Sequence, residues 1–210
     1  MNRGTNTQSH WEQKHIQQYD IDKPYTFNFI NNNLSYEKVG VDIIKENYES
    51  VTTKKILEIG CGNGEFSAYI KTKLLLDFYV EAWDFSKSAI DNNKLRCPEV
   101  NFIQRDFLLE PLNEDFGFIC MFEVLEHIEE GVNYKILDNI LNHCEYFILS
   151  LPTTIDNCFG EHISHYNWDT FENKGYNILW KQKLDKIDMS NVGDFGDYYH
   201  FILIFKGKLK

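Results

Sequence analysis

A chain of 210 residues is long enough for one sizeable core and short for two, so a single domain is the expectation. A formal net charge of -11, with 43% apolar and 15% aromatic residues, describes a packed globular protein and argues against one whose main task is gripping a nucleic acid backbone. The basic residues are scattered and form no stripe with stacking aromatics. Five cysteines, Cys61, Cys97, Cys120, Cys144 and Cys158, stand singly without a CxxC pair, which points to a reducing, cytoplasmic setting. The opening MNRGTNTQSHWEQ lacks the apolar core of a signal peptide. No segment approaches about 18 uninterrupted apolar residues, so a membrane-spanning reading fails.

Taken in order, residues 8–29 are rich in aromatics ahead of the first core strand. Trp11, His15 and Tyr19 recur at four-residue spacing, on one side of a helix. Two readings are open: a stripe docked on the domain, or a lid over the ligand that contributes to an acceptor pocket. Residues 1–34 are therefore expected to form a cap or lid segment and 35–210 the main domain. Val39, Ile43, Ile44 and Tyr48 repeat at helical spacing over 35–48. A strand at 55–58 enters a cluster of three glycines, Gly60, Gly62 and Gly64, and leaves into a helix ending near Lys73. That order, strand, tight turn, helix, suggests a cradle for a nucleotide-like ligand, with free N–H groups at the helix start.

A second strand, 78–82, delivers Asp84 to its C-terminal edge, and Ser86 is placed to cap a helix through Asn92. Residues 100–103 form a third strand, followed by Arg105, Asp106 and Phe107. FGFICMF, 116–122, is apolar throughout, as in a central strand covered on both faces, and is followed by Glu123, Glu126 and His127. Helical spacing returns at Val132, Ile136, Leu137, Ile140 and Leu141. A fifth strand at 146–151, a short helix at 168–172 and two strands at 176–181 and 200–205 complete the chain. The last pair is expected to be antiparallel, because the Asp- and Gly-rich insertion between them holds no convincing crossover helix. The fold expected is α/β: three layers around a mostly parallel, seven-stranded Rossmann-like sheet with an antiparallel C-terminal strand.

Four strand ends thus bring polar groups to one rim. Asp84 can accept both hydroxyls of a ribose, since a carboxylate offers several lone pairs to a vicinal diol; the alternative is a plain helix cap. Asp106 can accept from an exocyclic adenine amine with Phe107 beside the ring, or can be a turn aspartate. A dinucleotide site fits less well. The glycines read GxGxG where that fingerprint wants GxGxxG, and Glu65 adds negative charge where a pyrophosphate would lie.

LEIGCGNGEF, WDFS, RDF and FEVLEHI together resemble the motifs of S-adenosylmethionine-dependent methyltransferases of the seven-stranded, class I type, over roughly residues 40–205. The resemblance implies S-adenosylmethionine as cofactor, bound by Glu58, Gly60, Cys61, Gly62, Asp84, Phe85, Asp106, Phe107 and Phe122. Methyl transfer from a sulfonium is a direct displacement, so the protein must align the acceptor and, for an oxygen acceptor, remove one proton. His127 is the leading base or orienting group, with Glu126 or Glu123 as its partner; packing at a helix start is the other account of it. Trp11, His15, Tyr19, His162 and His165 are candidates for the acceptor side.

Glu123, Glu126, His127 and His165, or His162 in its place, make an oxygen and imidazole set compatible with Mg²⁺ or Mn²⁺. A similar E-x-x-E-H arrangement occurs in small-RNA 3′-terminal ribose methyltransferases. The acidic balance favours a small-molecule or nucleotide-linked acceptor over nucleic acid, with a sugar or surface-polysaccharide precursor as one possibility. A noncatalytic, cofactor-binding scaffold is the remaining class.

Overall fold

The alternation of short apolar runs with amphipathic segments builds an α/β sheet, in which each buried run must be covered on both faces. The computed structural model describes residues 7–18, 23–74, 77–153, 162–186 and 199–209. Tyr19, Cys158 and most of the Asp- and Gly-rich insertion fall outside them. In chain order the elements are α1 (Gln8–Gln18), α2 (Tyr36–Asn47), β1 (Lys55–Ile59), α3 (Glu65–Lys73), β2 (Tyr79–Asp84), α4 (Lys87–Arg96) and β3 (Asn101–Gln104). They continue with β4 (Phe116–Phe122), α5 (Val132–Asn142), β5 (Cys144–Pro152), α6 (Thr170–Asn173), β6 (Ile178–Lys186) and β7 (Tyr199–Lys206).

The strands form one seven-stranded sheet in the order β3-β2-β1-β4-β5-β7-β6. β1 pairs in parallel with both β2 and β4, and β4 with β5. β7 lies antiparallel to both β5 and β6. Strand order reverses direction about β1 and β4, and the crevice beyond the C-terminal ends of those strands is where open α/β sheets take their ligands.

β4 shows how the pattern is used. All seven of its residues are buried, and the two-residue period divides them between two cores. Phe118, Cys120 and Phe122 join Val41, Ile44 and Phe66 on one face; Ile119 and Met121 join Leu137, Ile140 and Leu141 on the other. Helix starts are set locally. Ser35 accepts from the Lys38 amide at 3.0 Å, and Ser86 from the Ala89 amide at 3.2 Å, each satisfying an amide that the first helical turn leaves without a partner. The described cysteines, Cys61, Cys97, Cys120 and Cys144, are buried free thiols.

Candidate functional site

The glycine turn after β1 is built around the end of β2. The Gly60 and Cys61 amides both donate to the Trp83 carbonyl, at 2.8 and 3.0 Å, and the Gly64 amide to the Cys61 carbonyl at 2.8 Å. The Gly62 amide donates to Asp84 Oδ2 at 3.0 Å. Gly60 has φ 75°, and a Cβ there would lie 2.4 Å from Val124 Cγ2, so this glycine lets the turns after β1 and β4 approach each other. The third glycine serves packing: a Cβ on Gly64 would meet Asn93 and Phe102 at 2.8 and 2.9 Å.

The expectation of free amides at the start of α3 is therefore corrected. The Glu65 amide donates to Asn63 Oδ1 at 3.0 Å, and Ser67 donates through its amide at 3.2 Å and its hydroxyl at 2.6 Å to Glu58 Oε2. With the turn amides also engaged, a pyrophosphate would find few donors here, which argues against a dinucleotide. Glu58 caps α3 from below and does not line the cavity. Burial drives its pKa up to about 8, against the lowering effect of the two Ser67 hydrogen bonds. Cys61 and Phe122 also lie within the core. Phe122 packs edge-on to Phe66 at 4.9 Å and against Tyr36 at 5.5 Å.

Beyond the strand ends lies a cavity of about 220 Å³. Gly60, Gly62, Asp84, Phe85, Asp106 and Phe107 line it, six of the nine residues expected at the cofactor. Asp84 is held from both sides, by Gly62 and by the Ser86 amide at 2.9 Å to Oδ1. Burial raises its pKa, opposed by the neighbouring His15 and by the Ser86 and Gly62 amides. The remaining walls come from Trp11, His15, Glu123, His127, Glu129 and an apolar group that sequence reasoning missed: Leu108, Val124, Ile128, Val132 and Ile163. Val124, Ile128 and Val132 recur at four-residue spacing after β4, the one signal that pointed to them.

His127 meets two other rings, Trp11 at 5.1 Å and His162 at 5.0 Å between centroids. Its Nε2 is 3.7 Å from Glu126 Oε1, outside direct hydrogen-bond range. Glu126 is 1% exposed. Burial, reinforced by the Glu123 charge, pushes its pKa well above the carboxylate range, and its Oε2 has no hydrogen-bond partner among the described residues. Ligand atoms of Glu126, His127 and His162 all lie within 4.8 Å of one another.

The structure thus brings His162 into this group and leaves His165 outside it, exposed. Glu123 also turns elsewhere. It adopts φ 53°, accepts from Ser150 Oγ at 2.7 Å and pairs with His200 Nε2 at 3.0 Å, so it faces β5 and β7 rather than His127. His200 carried no sequence signal, because the contact joins strand ends far apart in the chain. His15, placed on the acceptor side from sequence, is 4% exposed and stands beside Asp84. Burial lowers its pKa despite the nearby Asp84 and Glu12 charges.

A methyltransferase-domain family model matches residues 15–187. The chain belongs to that family, in its class I, S-adenosylmethionine-dependent form with the seven-stranded Rossmann-like sheet. It is 28% identical over 122 residues to the ubiquinone biosynthesis O-methyltransferase of Rickettsia typhi, an alignment covering 55% of this chain and 47% of that protein. Another curated relative, a probable pectin methyltransferase of Arabidopsis thaliana, is 22% identical over 69% of this chain and matched over only 23% of its own length. The chain spans less than half the length of either relative. Among solved structures, magnesium protoporphyrin IX methyltransferase from Synechocystis PCC 6803 with bound SAM has a TM-score of 0.65 at 12% identity, covering 98% of both chains. The shared fold, and not the acceptor, is what that likeness shows.

Proposed function

We propose that the protein transfers a methyl group from S-adenosylmethionine to an oxygen of a small molecule. One observation carries the reading: Asp84, fixed by Gly62 and Ser86, shares a single cavity with Asp106, Phe107 and His127. The residues fit the cofactor. Asp84 retains lone pairs for the two ribose hydroxyls after accepting two amides, Asp106 and Phe107 would hold the adenine, and the glycine turn would meet the methionine end. Bound S-adenosylmethionine supplies an electrophilic methyl group on a sulfonium sulfur.

The chain's own residues do the rest. Trp11, Ile128, Val132 and Ile163 exclude water and orient the acceptor, and His127 takes the proton from its hydroxyl. The acidic total of -11 suits a small acceptor better than RNA. Within that class, the sugar or polysaccharide precursor suggested by composition has no support from the largely apolar wall, which favours a less polar molecule. An amine acceptor would need no base. A cytoplasmic setting is consistent with the buried free thiols, and no helix among the described residues is long and apolar enough to cross a membrane.

A second reading, in which a divalent ion activates the acceptor oxygen, is favoured by the grouping of Glu126, His127 and His162 and by Glu126 Oε2, which has no partner among the described residues. These three residues would hold the ion, which would act as a Lewis acid at the acceptor. The His127→Ala variant tests the site. Cofactor affinity is expected to stay within about twofold while methyl transfer, followed with labelled cofactor, falls by about a hundredfold or more. Unchanged turnover would remove His127 from the mechanism, and a noncatalytic scaffold would show no transfer with either protein.

A further inference from the structure

We propose that Glu12 is a positioning residue that clamps α1 onto the bound cofactor, so that docking of α1 and binding of S-adenosylmethionine strengthen each other. The inference rests on the cofactor reading above and adds to it a part of the chain outside the four strand-end motifs.

Glu12 fastens α1 to the start of α4. Its Oε2 accepts from Ser86 Oγ at 3.1 Å and from the Ser88 amide at 2.9 Å, and its Oε1 accepts from the Lys87 amide. Ser88 Oγ also donates to the Glu12 backbone carbonyl at 3.4 Å. A carboxylate from one helix thereby caps the first turn of another, where unpaired amides and the helix dipole both favour negative charge. Partial burial alone would raise the Glu12 pKa. The hydrogen bonds from Ser88, Lys87 and Ser86 outweigh it and bring the value down to about 2, so the clamp is charged throughout the physiological range.

The same serine links the clamp to the ligand carboxylate. Ser86 donates its amide to Asp84 and its hydroxyl to Glu12, so Asp84, Ser86 and Glu12 form one continuous chain of hydrogen bonds. On the inner side of α1, His15 is buried beside Asp84 and Trp11 lies 5.1 Å from the His127 ring. With α1 fastened in this way, Trp11 and His15 roof a space of about 220 Å³ whose floor is Gly60, Gly62 and Asp84. The helix covers the cavity and does not fill it. A plug would occupy that volume; a cover completes its wall. Two events that stabilise the same closed arrangement are coupled, and the coupling is reciprocal.

Calorimetric titration of S-adenosylmethionine into wild type, Glu12→Gln and Glu12→Asp tests this. Trypsin cleavage at Lys14, within α1, is followed in parallel with and without the cofactor. Glu12→Gln, which keeps the shape and loses the charge, is expected to weaken cofactor binding by about tenfold and to lose most of the protection that the cofactor gives Lys14. Glu12→Asp should restore part of both. Loss of the charge weakens the cap on α4, so the melting midpoint of the cofactor-free Glu12→Gln protein should fall; a merely structural role would stop there and leave cofactor affinity and the protection of Lys14 unchanged. Unchanged affinity in Glu12→Gln, or tighter binding, as an obstructing helix would give, overturns the clamp. Absence of binding to the wild type would instead overturn the cofactor reading, and the clamp with it.

Discussion

Glu58 and Asp84 are carboxylates near the ends of adjacent parallel strands, both 6% exposed, yet they do different work. Asp84 receives amides from the glycine turn and from the start of α4 and still faces the cavity. Glu58 receives both donors of Ser67 and is enclosed. Its folded pKa of about 8 stands above the ordinary 4.5, so between those values the folded chain holds a proton that the unfolded chain releases. The associated stability is complete below about pH 4.5 and is lost as pH rises through about 8. In Glu58→Gln, an amide oxygen can still accept from Ser67 without titrating. Denaturant unfolding at pH 5, 6.5 and 8 should therefore show the stability difference, variant minus wild type, growing steadily in the variant's favour. Parallel curves would contradict this assignment. The sequence shows that an acid precedes the glycines, and nothing in it tells which way the side chain turns, because Ser67 is fixed opposite Glu58 only once α3 has packed on β1.

At the scale of elements, the strand ends were legible and the partners across them were not. The parallel strands announce themselves by short apolar runs, and the residues at or just beyond their ends emerge at the sheet edge; Asp84, Asp106 and His127 reach the cavity for that reason. Contacts between distant segments carry no such local pattern. Glu12 meets α4, Glu123 meets β7, and the segment 162–164 folds back on the turn after β4. There the Ile163 and Ser164 amides donate to the Glu126 carbonyl at 2.9 and 3.0 Å, which brings His162, and not the exposed His165, to His127. The same docking makes the candidate metal group. Stripping divalent ions with a chelator and restoring Mg²⁺ or Mn²⁺ singly should abolish and then recover transfer if the metal-assisted reading holds. Undiminished activity after verified removal would leave His127 acting as a base alone.

For the whole molecule, the order in which the strands lie was not legible, because it is set by pairings between distant runs, whereas a mostly parallel sheet with a reversed last strand was legible in the alternation of the chain. Identity of the ligand was less so, since a strand, a glycine turn and a helix serve several nucleotides. The structure narrows it through hydrogen bonds: the amides that would cradle a pyrophosphate are already spent on Trp83, Asp84 and Asn63, while the carboxylates suited to a ribose and an adenine remain at the cavity. The central claim is thus a preference of one cofactor over another. Calorimetry of the full chain with S-adenosylmethionine and, separately, with NAD measures it directly: saturable binding of S-adenosylmethionine with none of NAD is the expected result, and preferential binding of NAD, or no binding of the methyl donor, would contradict the account.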